Sequence, residues 1–311
     1  MKIAVFGIGG VGGIIGGVLA RNNNDVYFYA RGENLRAIRE NGLAVESALL
    51  GNFTAHPKLV TDNADEIGIV DVLFIASKGY NLEEVCKAAA PMVNENTVVI
   101  PLLNGVVVSE LLEPLLPKCK LADGCIYIFC NLEKPGHIFH QIGGRTVIGM
   151  KDGSHEPLLD EVAALLTKLG LQTSVSENML FDSWKKYVVM CSNSVTFCWF
   201  DAPAGGVREH KDYEDVFRAI LGELISVAAA KGAILPPETI DNCVKTFSGL
   251  AFDTVSSLYR DLRDGKAPEQ TELSHVVGRM VKFGEETGVP TPYHKGVLEK
   301  WSKEGMFLVR D

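Results

Sequence analysis

A glycine-rich motif lies between two short apolar segments at the start of this chain and constrains its fold more than any other feature. The first segment ends at Phe6, the glycines occupy residues 7–13, and the second segment covers residues 26–30. Short apolar runs predict buried strands, and the stretch between them has the length of a helix. We therefore expect strand, glycine turn, helix and strand, which is the first unit of a doubly wound α/β sheet.

The glycines at positions 7, 9 and 12 form the G-x-G-x-x-G pattern that follows a strand and opens a helix in dinucleotide-binding folds. Gly7 permits the tight turn, Gly9 lets the main chain approach a pyrophosphate, and Gly12 allows the helix to pack closely on the strand. The free N–H groups at the helix start attract the phosphates. The predicted pyrophosphate site consists of Gly7, Ile8, Gly9, Gly10, Val11 and Gly12.

The end of the second predicted strand indicates which dinucleotide is bound. NAD sites carry Asp or Glu there for the ribose 2′-hydroxyl, whereas NADP sites carry an arginine nearby for the 2′-phosphate. Residues 26–30 contain no acid and Arg31 follows them, so the sequence favours NADP(H). Two alternatives stay open: Glu33 as a late substitute for the missing acid, and Arg31 as a solvated loop residue.

Composition excludes several classes of function. The net charge of −9 argues against a nucleic-acid surface. Seven cysteines without a C-x-x-C spacing indicate neither a zinc site nor a disulfide framework, so we expect a cytoplasmic protein without a metal. No apolar run reaches the length of a membrane span without glycines or charges. With 311 residues, of which 47% are hydrophobic, the chain can form two domains around large cores.

Strands and helices alternate after Arg31, which predicts a parallel sheet with helices on both faces. Further strands are expected at residues 71–77 and 97–103. The helices expected around these strands cover residues 33–41, 82–93 and 109–116, and short strands fall within 43–60. Lys78 and Asn104 follow the two strands directly, so we expect them beside the glycine loop at the carboxyl edge of the sheet. The alternative is that both are ordinary loop residues.

Residues 121–150 are rich in strand-forming residues and predict antiparallel strands that complete the sheet. Pro135-Gly136 and Gly143-Gly144 are predicted to form turns between these strands. An amphipathic helix at 156–169 and a strand at 171–175 follow.

Beyond residue 175, helical patterns replace the strands. The predicted helices cover residues 179–200, 212–231, 237–247, 253–263 and 272–287. We therefore predict an α/β chain, with an N-terminal Rossmann-type NADP-binding domain at 1–174 and an all-α substrate and catalytic domain at 175–311. An active site is expected in the cleft between the domains. Apolar helices in the second domain would also allow a homodimer.

Motifs in order over nearly the whole chain resemble the ketopantoate reductase family. Beyond the glycine motif and Arg31, they are Ser77-Lys78-Gly-Tyr-Asn81, Pro101-Leu-Leu-Asn104-Gly105, Lys134-Pro-Gly136, Trp184-Lys-Lys186, Ser256-Ser257…Asp261 and Thr271-Glu272-Leu. The resemblance implies a Rossmann domain followed by a helical domain. It also implies reduction of 2-dehydropantoate to pantoate with NADPH, on the route to coenzyme A.

The resemblance implies a role for one lysine and one glutamate in catalysis. Lys186 resembles the family's catalytic lysine, and a positioned ammonium can stabilise the charge on a ketone oxygen and then donate a proton. Its neighbour Lys185 is the alternative. Glu272 resembles the glutamate that contacts the substrate hydroxyl, although the spacing from Asp261 would select Glu269.

Other residues resemble the family's binding residues. Ser257 resembles the serine that binds the substrate carboxylate. Lys78, Asn81 and Asn104 resemble residues that line the cofactor site and the cleft, with Asn104 next to both cofactor and substrate.

The chain departs from the family pattern where asparagines usually stand four and eight residues after the lysine. Here these positions hold Met190 and Ser194. Asn193 lies nearly two helical turns after Lys186, within ~20° of the same helix face, and can supply one polar contact. A methionine cannot replace an amide hydrogen bond, so the substrate pocket is expected to differ.

Three functions therefore stay open. The first is an NADPH-dependent reductase of ketopantoate. The second is a paralogue that reduces a different, bulkier or more apolar 2-keto acid. The third is a nucleotide-binding sensor without turnover, but the retention of Lys186, Ser257 and Glu272 argues against it because a sensor needs no proton donor.

Overall fold

The computed structural model of the protein describes residues 1–22 and 25–302. The chain forms two compact units. The first contains Met1–Leu103 and Val107–Asp182, and the second combines Asn104–Val106 with the chain from Ser183 onward. The structure divides the chain after Asp182, whereas the sequence pattern predicts a division at residue 174.

Ten strands form one mixed sheet in the described part of the first unit. They are β1 Ile3–Phe6, β2 Val26–Tyr29, β3 Leu43–Ser47, β4 Phe53–Ala55, β5 Leu59–Thr61, β6 Val72–Ile75, β7 Val98–Pro101, β8 Lys120–Lys134, β9 His137–Met150 and β10 Thr173–Val175. Their order is β4-β3-β9-β8-β7-β6-β1-β2-β5, and β10 also pairs with β9. The run from β5 through β2, β1, β6 and β7 to β8 is parallel, as the alternation of strands and helices predicts.

Helices cover both faces of this sheet. They are α1 Gly10–Asn22, α2 Gly32–Asn41, α3 Ala64–Ile67, α4 Leu82–Ala89, α5 Ser109–Leu112 and α6 Pro157–Lys168. In β1, Ile3 and Val5 belong to one hydrophobic core, while Ala4 and Phe6 belong to the other. Burial on both faces explains why the parallel strands are apolar without alternation. Helix α5 is shorter than the helix predicted at 109–116.

The strands β8 and β9 form a long antiparallel hairpin that differs from the predicted set of short strands. The turn at Pro135-Gly136 is confirmed. The predicted turn at Gly143-Gly144 is wrong, since both glycines lie within β9. They have φ angles of 95° and 125°, and the pairing register shifts beside them. The glycines therefore form an irregularity of the β-bulge kind, which sequence alone does not distinguish from a turn.

All regular elements are helical in the second unit, as far as the structure describes it. They are the greater part of α7 Met179–Phe200, then α8 Ala204–Glu209, α9 Tyr213–Ala230, α10 Thr239–Ser248, α11 Ser257–Arg263, a short 3₁₀ turn Pro268–Gln270, a π-helix Leu273–Gly278, α12 Arg279–Thr287 and α13 Pro292–Trp301. The Rossmann-type α/β sheet followed by a helical region confirms the predicted fold class. Among residues 1–22 and 25–302, no helix is both long and apolar enough to cross a membrane.

Two helical predictions in this unit need correction, and two helices have no predicted counterpart. The helix predicted at 253–263 begins only at Ser257, because the Ser256 hydroxyl accepts the N–H of Tyr259 and caps it there. The helix predicted at 272–287 is divided into a π-helix and α12. Helices α8 and α13 were not predicted, since glycines and prolines within them resemble loop sequence.

Buried aromatic residues fix the π-helix against α7. Trp184 and Tyr187 are both fully buried, and their rings meet edge to face with centroids 5.5 Å apart. The Tyr187 hydroxyl donates a 2.6 Å hydrogen bond to the carbonyl of Val276 in the π-helix. Side chains on α7 and at the start of the π-helix are therefore held in a fixed arrangement.

Candidate active site

The glycine loop of the first unit has the geometry that each glycine of the motif requires. Gly7 has a φ angle of 92°, in the region that favours glycine, and its N–H donates to the carbonyl of Tyr29 at 3.1 Å. A Cβ on Gly12 would lie 2.0 Å from the Gly7 carbonyl oxygen, so α1 packs directly on the loop. A Cβ on Gly9 would meet nothing within 4 Å, so the space above this residue is open.

The other residues of the loop anchor it to the core. Ile8 is buried, and Val11 packs against the core on the same face of the sheet. A Cβ on Gly10, the first residue of α1, would lie 2.7 Å from the carbonyl oxygen of Cys130. The side chains of the loop therefore face inward, and main chain is left at the open side where Gly9 lies.

Asn34 on α2 fixes the glycine loop, and the sequence gives no signal for this contact. Its Nδ2 donates to the Ile8 carbonyl at 2.7 Å, and its Oδ1 accepts the N–H of Gly136 at 2.8 Å. One amide thus joins the loop to the Pro135-Gly136 turn. No spacing rule identifies such a residue, because both partners come from other parts of the chain.

Arg31 lies at the end of β2, where the sequence places the cofactor-selecting residue. Its Nε and Nη2 donate to the Tyr29 hydroxyl at 3.2 and 3.1 Å, and the guanidinium carbon lies 5.4 Å from the centre of that ring. The alternative residue Glu33 is exposed and forms an ion pair with Arg36 at 2.8 Å. A positive charge is therefore held beside the first turn of α2.

The segment after β6 contains the two further predicted cofactor residues. Lys78 and Asn81 are both exposed; Lys78 directly precedes a short 3₁₀ turn, Gly79–Asn81, and Asn81 is its last residue. Just before them, the hydroxyl of Ser77 is buried and has no hydrogen-bond partner among the described residues. The main chain of Ser77 lies close to Gly7, since a Cβ on Gly7 would be 3.1 Å from the Ser77 nitrogen. An unsatisfied polar group beside the open glycine loop is what a ligand with phosphate or ribose oxygens would complete.

Asn104 is the centre of a hydrogen-bonded cluster in the second unit. Its Nδ2 donates to Oε2 of Glu272 at 3.1 Å, and its Oδ1 accepts from Nζ of Lys186 at 3.4 Å. Lys186 is only 8% exposed and Glu272 only 6%. The structure thus brings together the lysine, the glutamate and the asparagine on which the resemblance depends.

Burial distinguishes these residues from their neighbours in sequence. Lys185 and Glu269, the two alternatives, are both exposed. Lys186 lies on the buried side of α7, and Glu272 immediately precedes the π-helix. Lys186 and Glu272, in contrast, each form a hydrogen bond with the side-chain amide of Asn104.

The cluster contains a further side chain, His275, that sequence reasoning missed. Its Nε2 donates to the main-chain carbonyl of Asn104 at 2.6 Å. Burial is the main cause that lowers the pKa of His275 below 6.5, with Glu272 acting to raise it and Arg279 to lower it. The only sequence signal is its position three residues after Glu272.

The predicted substrate contacts at Asn193 and Ser257 do not belong to this cluster in the described part of the chain. Asn193 is half-buried on α7, and Ser257 is exposed at the first position of α11.

The Ser194 hydroxyl donates to the Met190 carbonyl of its own helix at 2.9 Å. That hydroxyl is therefore engaged within the helix. Cys191, one turn of helix before Ser194, is fully buried, and burial raises the pKa of its thiol to about 12.

Comparison with known proteins gives the same family over both units. The family model described as ketopantoate reductase PanE/ApbA matches residues 3–153, and its C-terminal counterpart matches residues 178–303. A relative from Bacillus subtilis (strain 168), the uncharacterized oxidoreductase YkpB, is 28% identical over 94% of this chain and 95% of its own.

Solved structures share the fold over almost the full chain. A PanE/ApbA family ketopantoate reductase from Ralstonia eutropha JMP134 has a TM-score of 0.86 at 25% identity and covers 97% of both chains. A D-mandelate dehydrogenase, solved with NADH and anilino(oxo)acetate, has a TM-score of 0.85 at 24% identity and covers 97% of both chains. The protein thus has the fold of two-domain, nucleotide-dependent oxidoreductases. Because the family models match most of its length, it belongs to the ketopantoate reductase family.

Proposed function

We propose that this protein reduces 2-dehydropantoate to pantoate with NADPH, in the supply of coenzyme A. The observation that carries the proposal is the buried cluster of Lys186, Asn104 and Glu272 in a chain of this family. A primary amine, an amide and a carboxylate in hydrogen-bond contact can bind a ketone oxygen and supply a proton to it. A nucleotide sensor would not need these groups.

The residues of the glycine loop fit a dinucleotide. Gly9 faces open space, the first turn of α1 offers main-chain N–H groups, and the Ser77 hydroxyl is unsatisfied beside them. In the proposal, Gly7 to Gly12 bind the pyrophosphate, and Arg31 binds the 2′-phosphate. Lys78, Asn81 and Asn104 are proposed to contact the rest of the cofactor.

Bound NADPH would supply a hydride to the ketone carbon. Negative charge then develops on the ketone oxygen, and the ammonium of Lys186 stabilises it and donates the proton that completes the hydroxyl. Asn104 orients the lysine, because its Oδ1 accepts from Nζ while its Nδ2 is bound by Glu272. Glu272 is proposed to accept a hydrogen bond from the substrate hydroxyl. Ser257 and Asn193 are proposed to contact the substrate carboxylate and a further polar group.

Replacing Arg31 with alanine tests the choice of cofactor. We expect the dissociation constant for NADPH to rise ~10–100-fold, because charged hydrogen bonds to a phosphate contribute about 1.5–3 kcal/mol. NADH lacks this phosphate, so its binding should stay unchanged. Fluorescence titration of the purified protein with each nucleotide gives both constants.

Arg36→Ala is the matched control, since Arg36 is also exposed and lies on α2, where it forms an ion pair with Glu33. It should leave both constants unchanged. Equal affinity of the native protein for NADPH and NADH, or an equal loss of both in Arg31→Ala, would contradict the proposed role of Arg31. The NADH bound to the D-mandelate dehydrogenase makes this comparison necessary.

A second candidate function is the reduction of a different 2-keto acid. Met190 and Ser194 favour it, because a thioether replaces one usual amide and the hydroxyl is bound to its own helix. The test is oxidation of NADPH, followed by absorbance, with ketopantoate and with bulkier keto acids such as phenylglyoxylate. Turnover with ketopantoate of ~1–10³ per second would support the first function. Turnover only with a bulkier acid would support the second function. If no keto acid is reduced, the nucleotide-binding sensor is the function that remains.

A further inference from the structure

The loop that contains Asn104 has no regular secondary structure to hold it. Strand β7 ends at Pro101, and the next residues include Gly105 with a φ angle of 140° and Val107 with a φ angle of 47°. A positive φ angle is unfavourable for a β-branched residue such as valine. The conformation of Asn104 therefore depends on contacts from other parts of the second unit.

Residues at the start of the π-helix supply these contacts, and they bind both the side chain and the main chain of Asn104. Glu272 accepts from the side-chain amide, and His275 donates to the main-chain carbonyl. Because a carbonyl oxygen can only accept, Nε2 of His275 must carry a proton. The contact thus defines the tautomer, with Nδ1 as the unprotonated nitrogen of the neutral ring.

We propose that His275 is a positioning residue for catalysis, which fixes the main chain of Asn104 so that its amide faces Lys186 and Glu272 in one orientation. The inference rests on the proposed reductase function, in which Lys186 donates the proton. An amide that rotates would present its NH₂ group to the ammonium and its oxygen to the carboxylate, and both contacts would then be repulsive. Holding the main chain keeps the amide at the place from which its favoured orientation reaches both partners.

The charge state of His275 agrees with a positioning role. Burial and Arg279 lower the pKa of the imidazole below 6.5 despite the opposing effects of Glu272 and of the hydrogen bond to the Asn104 carbonyl, so the ring is neutral at pH 7. The Nε2–H bond to Asn104 exists in both protonation states. Protonation below the lowered pKa would instead add a positive charge to the cluster, where it would attract Glu272 and repel Arg279. We therefore expect kcat to fall in acid with an apparent pKa below 6.5, and this limb to disappear when His275 is replaced.

Two substitutions distinguish the effect of the His275 hydrogen bond on catalysis from the effect of the size of its side chain. His275→Leu removes the donor and is expected to lower kcat ~10–100-fold, since small displacements of catalytic groups have effects of this size. His275→Gln keeps an N–H donor on a side chain of similar length, so kcat should recover to within about threefold of the native value. The dissociation constant for NADPH should be unchanged in both. Ser274→Ala, a change at the neighbouring π-helix residue, should be neutral in all assays.

A leucine variant with native kcat, or a glutamine variant as impaired as the leucine variant, would overturn the proposal. The thermal unfolding temperature of each variant shows whether a lower kcat results from a less stable fold or from a displaced Asn104. NMR spectra of ¹⁵N-histidine-labelled protein provide a readout that does not depend on turnover. At pH 7, His275 should be in the Nε2–H form, and the side-chain amide signal of Asn104 should move in His275→Leu but not in His275→Gln.

These measurements keep the inference separate from the proposed function. If the native protein reduces no keto acid, the proposed function fails, whereas the NMR signals still decide whether His275 holds Asn104. An Nδ1–H tautomer for His275, or an Asn104 signal that is the same in all variants, would overturn the inference even if the native protein is an active reductase.

Discussion

Replacing Lys186 with methionine is expected to lower kcat ~10²–10⁴-fold, the usual contribution of a positioned general acid. Methionine is unbranched and apolar, so it can occupy the buried position of the lysine side chain, which is 8% exposed, without leaving a large cavity. The glycine loop belongs to the other unit and is unchanged, so NADPH should bind with native affinity. Steady-state kinetics and a fluorescence titration with NADPH measure the two quantities.

Lys185→Met is the matched control for this experiment. Lys185 is adjacent in sequence but exposed, and its replacement should leave kcat within about twofold of the native value, as for most surface substitutions. If both variants retain activity, Lys186 is not the proton donor. If Lys185→Met is the inactive variant, the choice between the two lysines is reversed.

Replacing Gly12 with alanine is expected to remove NADPH binding and to destabilise the first unit. The new Cβ would lie 2.0 Å from the carbonyl oxygen of Gly7, and both atoms are attached directly to main chain that cannot move independently. Overpacking usually costs about 1–3 kcal/mol, and a contact with a rigid main chain should reach the upper end of this range. Urea unfolding measures the loss of stability, and nucleotide titration measures the loss of binding.

Gly9→Ala distinguishes packing from ligand contact within the same loop. A Cβ on Gly9 meets no protein atom within 4 Å, so the free energy of unfolding should change by less than ~1 kcal/mol. The methyl group would nevertheless occupy the space proposed for the pyrophosphate, and NADPH binding should weaken strongly. A Gly9→Ala protein that binds NADPH normally would contradict the proposed position of the pyrophosphate. A Gly12→Ala protein with native stability would contradict the packing argument.

The parts of the fold that the sequence predicts are those determined by local pattern and burial. The bounds of α7, Met179–Phe200, agree with the prediction because its apolar residues recur at helical spacing and no glycine or proline interrupts them. The strands β1, β2, β6 and β7 are recognisable because they are buried on both faces. The turn predicted at Gly143 and Gly144 is wrong because a glycine with positive φ occurs in a β-bulge as readily as in a turn.

The site was predictable as a set of residue types but not as a set of contacts. The choice of Lys186 over Lys185 came from the resemblance, whereas the difference in burial appears only in the folded chain. Asn104 meets Glu272 across 168 residues and His275 across 171. No local rule indicates such pairs. The π-helix after Glu272 likewise has no local signal, and its Val276 carbonyl accepts a hydrogen bond from Tyr187, 89 residues earlier in the chain.

Residues Asn104–Val106 belong to the second unit, although the segments on both sides of them belong to the first. A fragment that ends at Asp182 would keep the complete sheet, yet its Asn104 would lack Lys186, Glu272 and His275. A fragment that begins at Ser183 would carry these three side chains without the residue that joins them. The two units therefore cannot be exchanged by a single cut of the chain at Asp182. A chimera that takes the second unit from a relative should take that relative's counterpart of residues 104–106 with it, so that the asparagine loop and its helical partners share one evolutionary history.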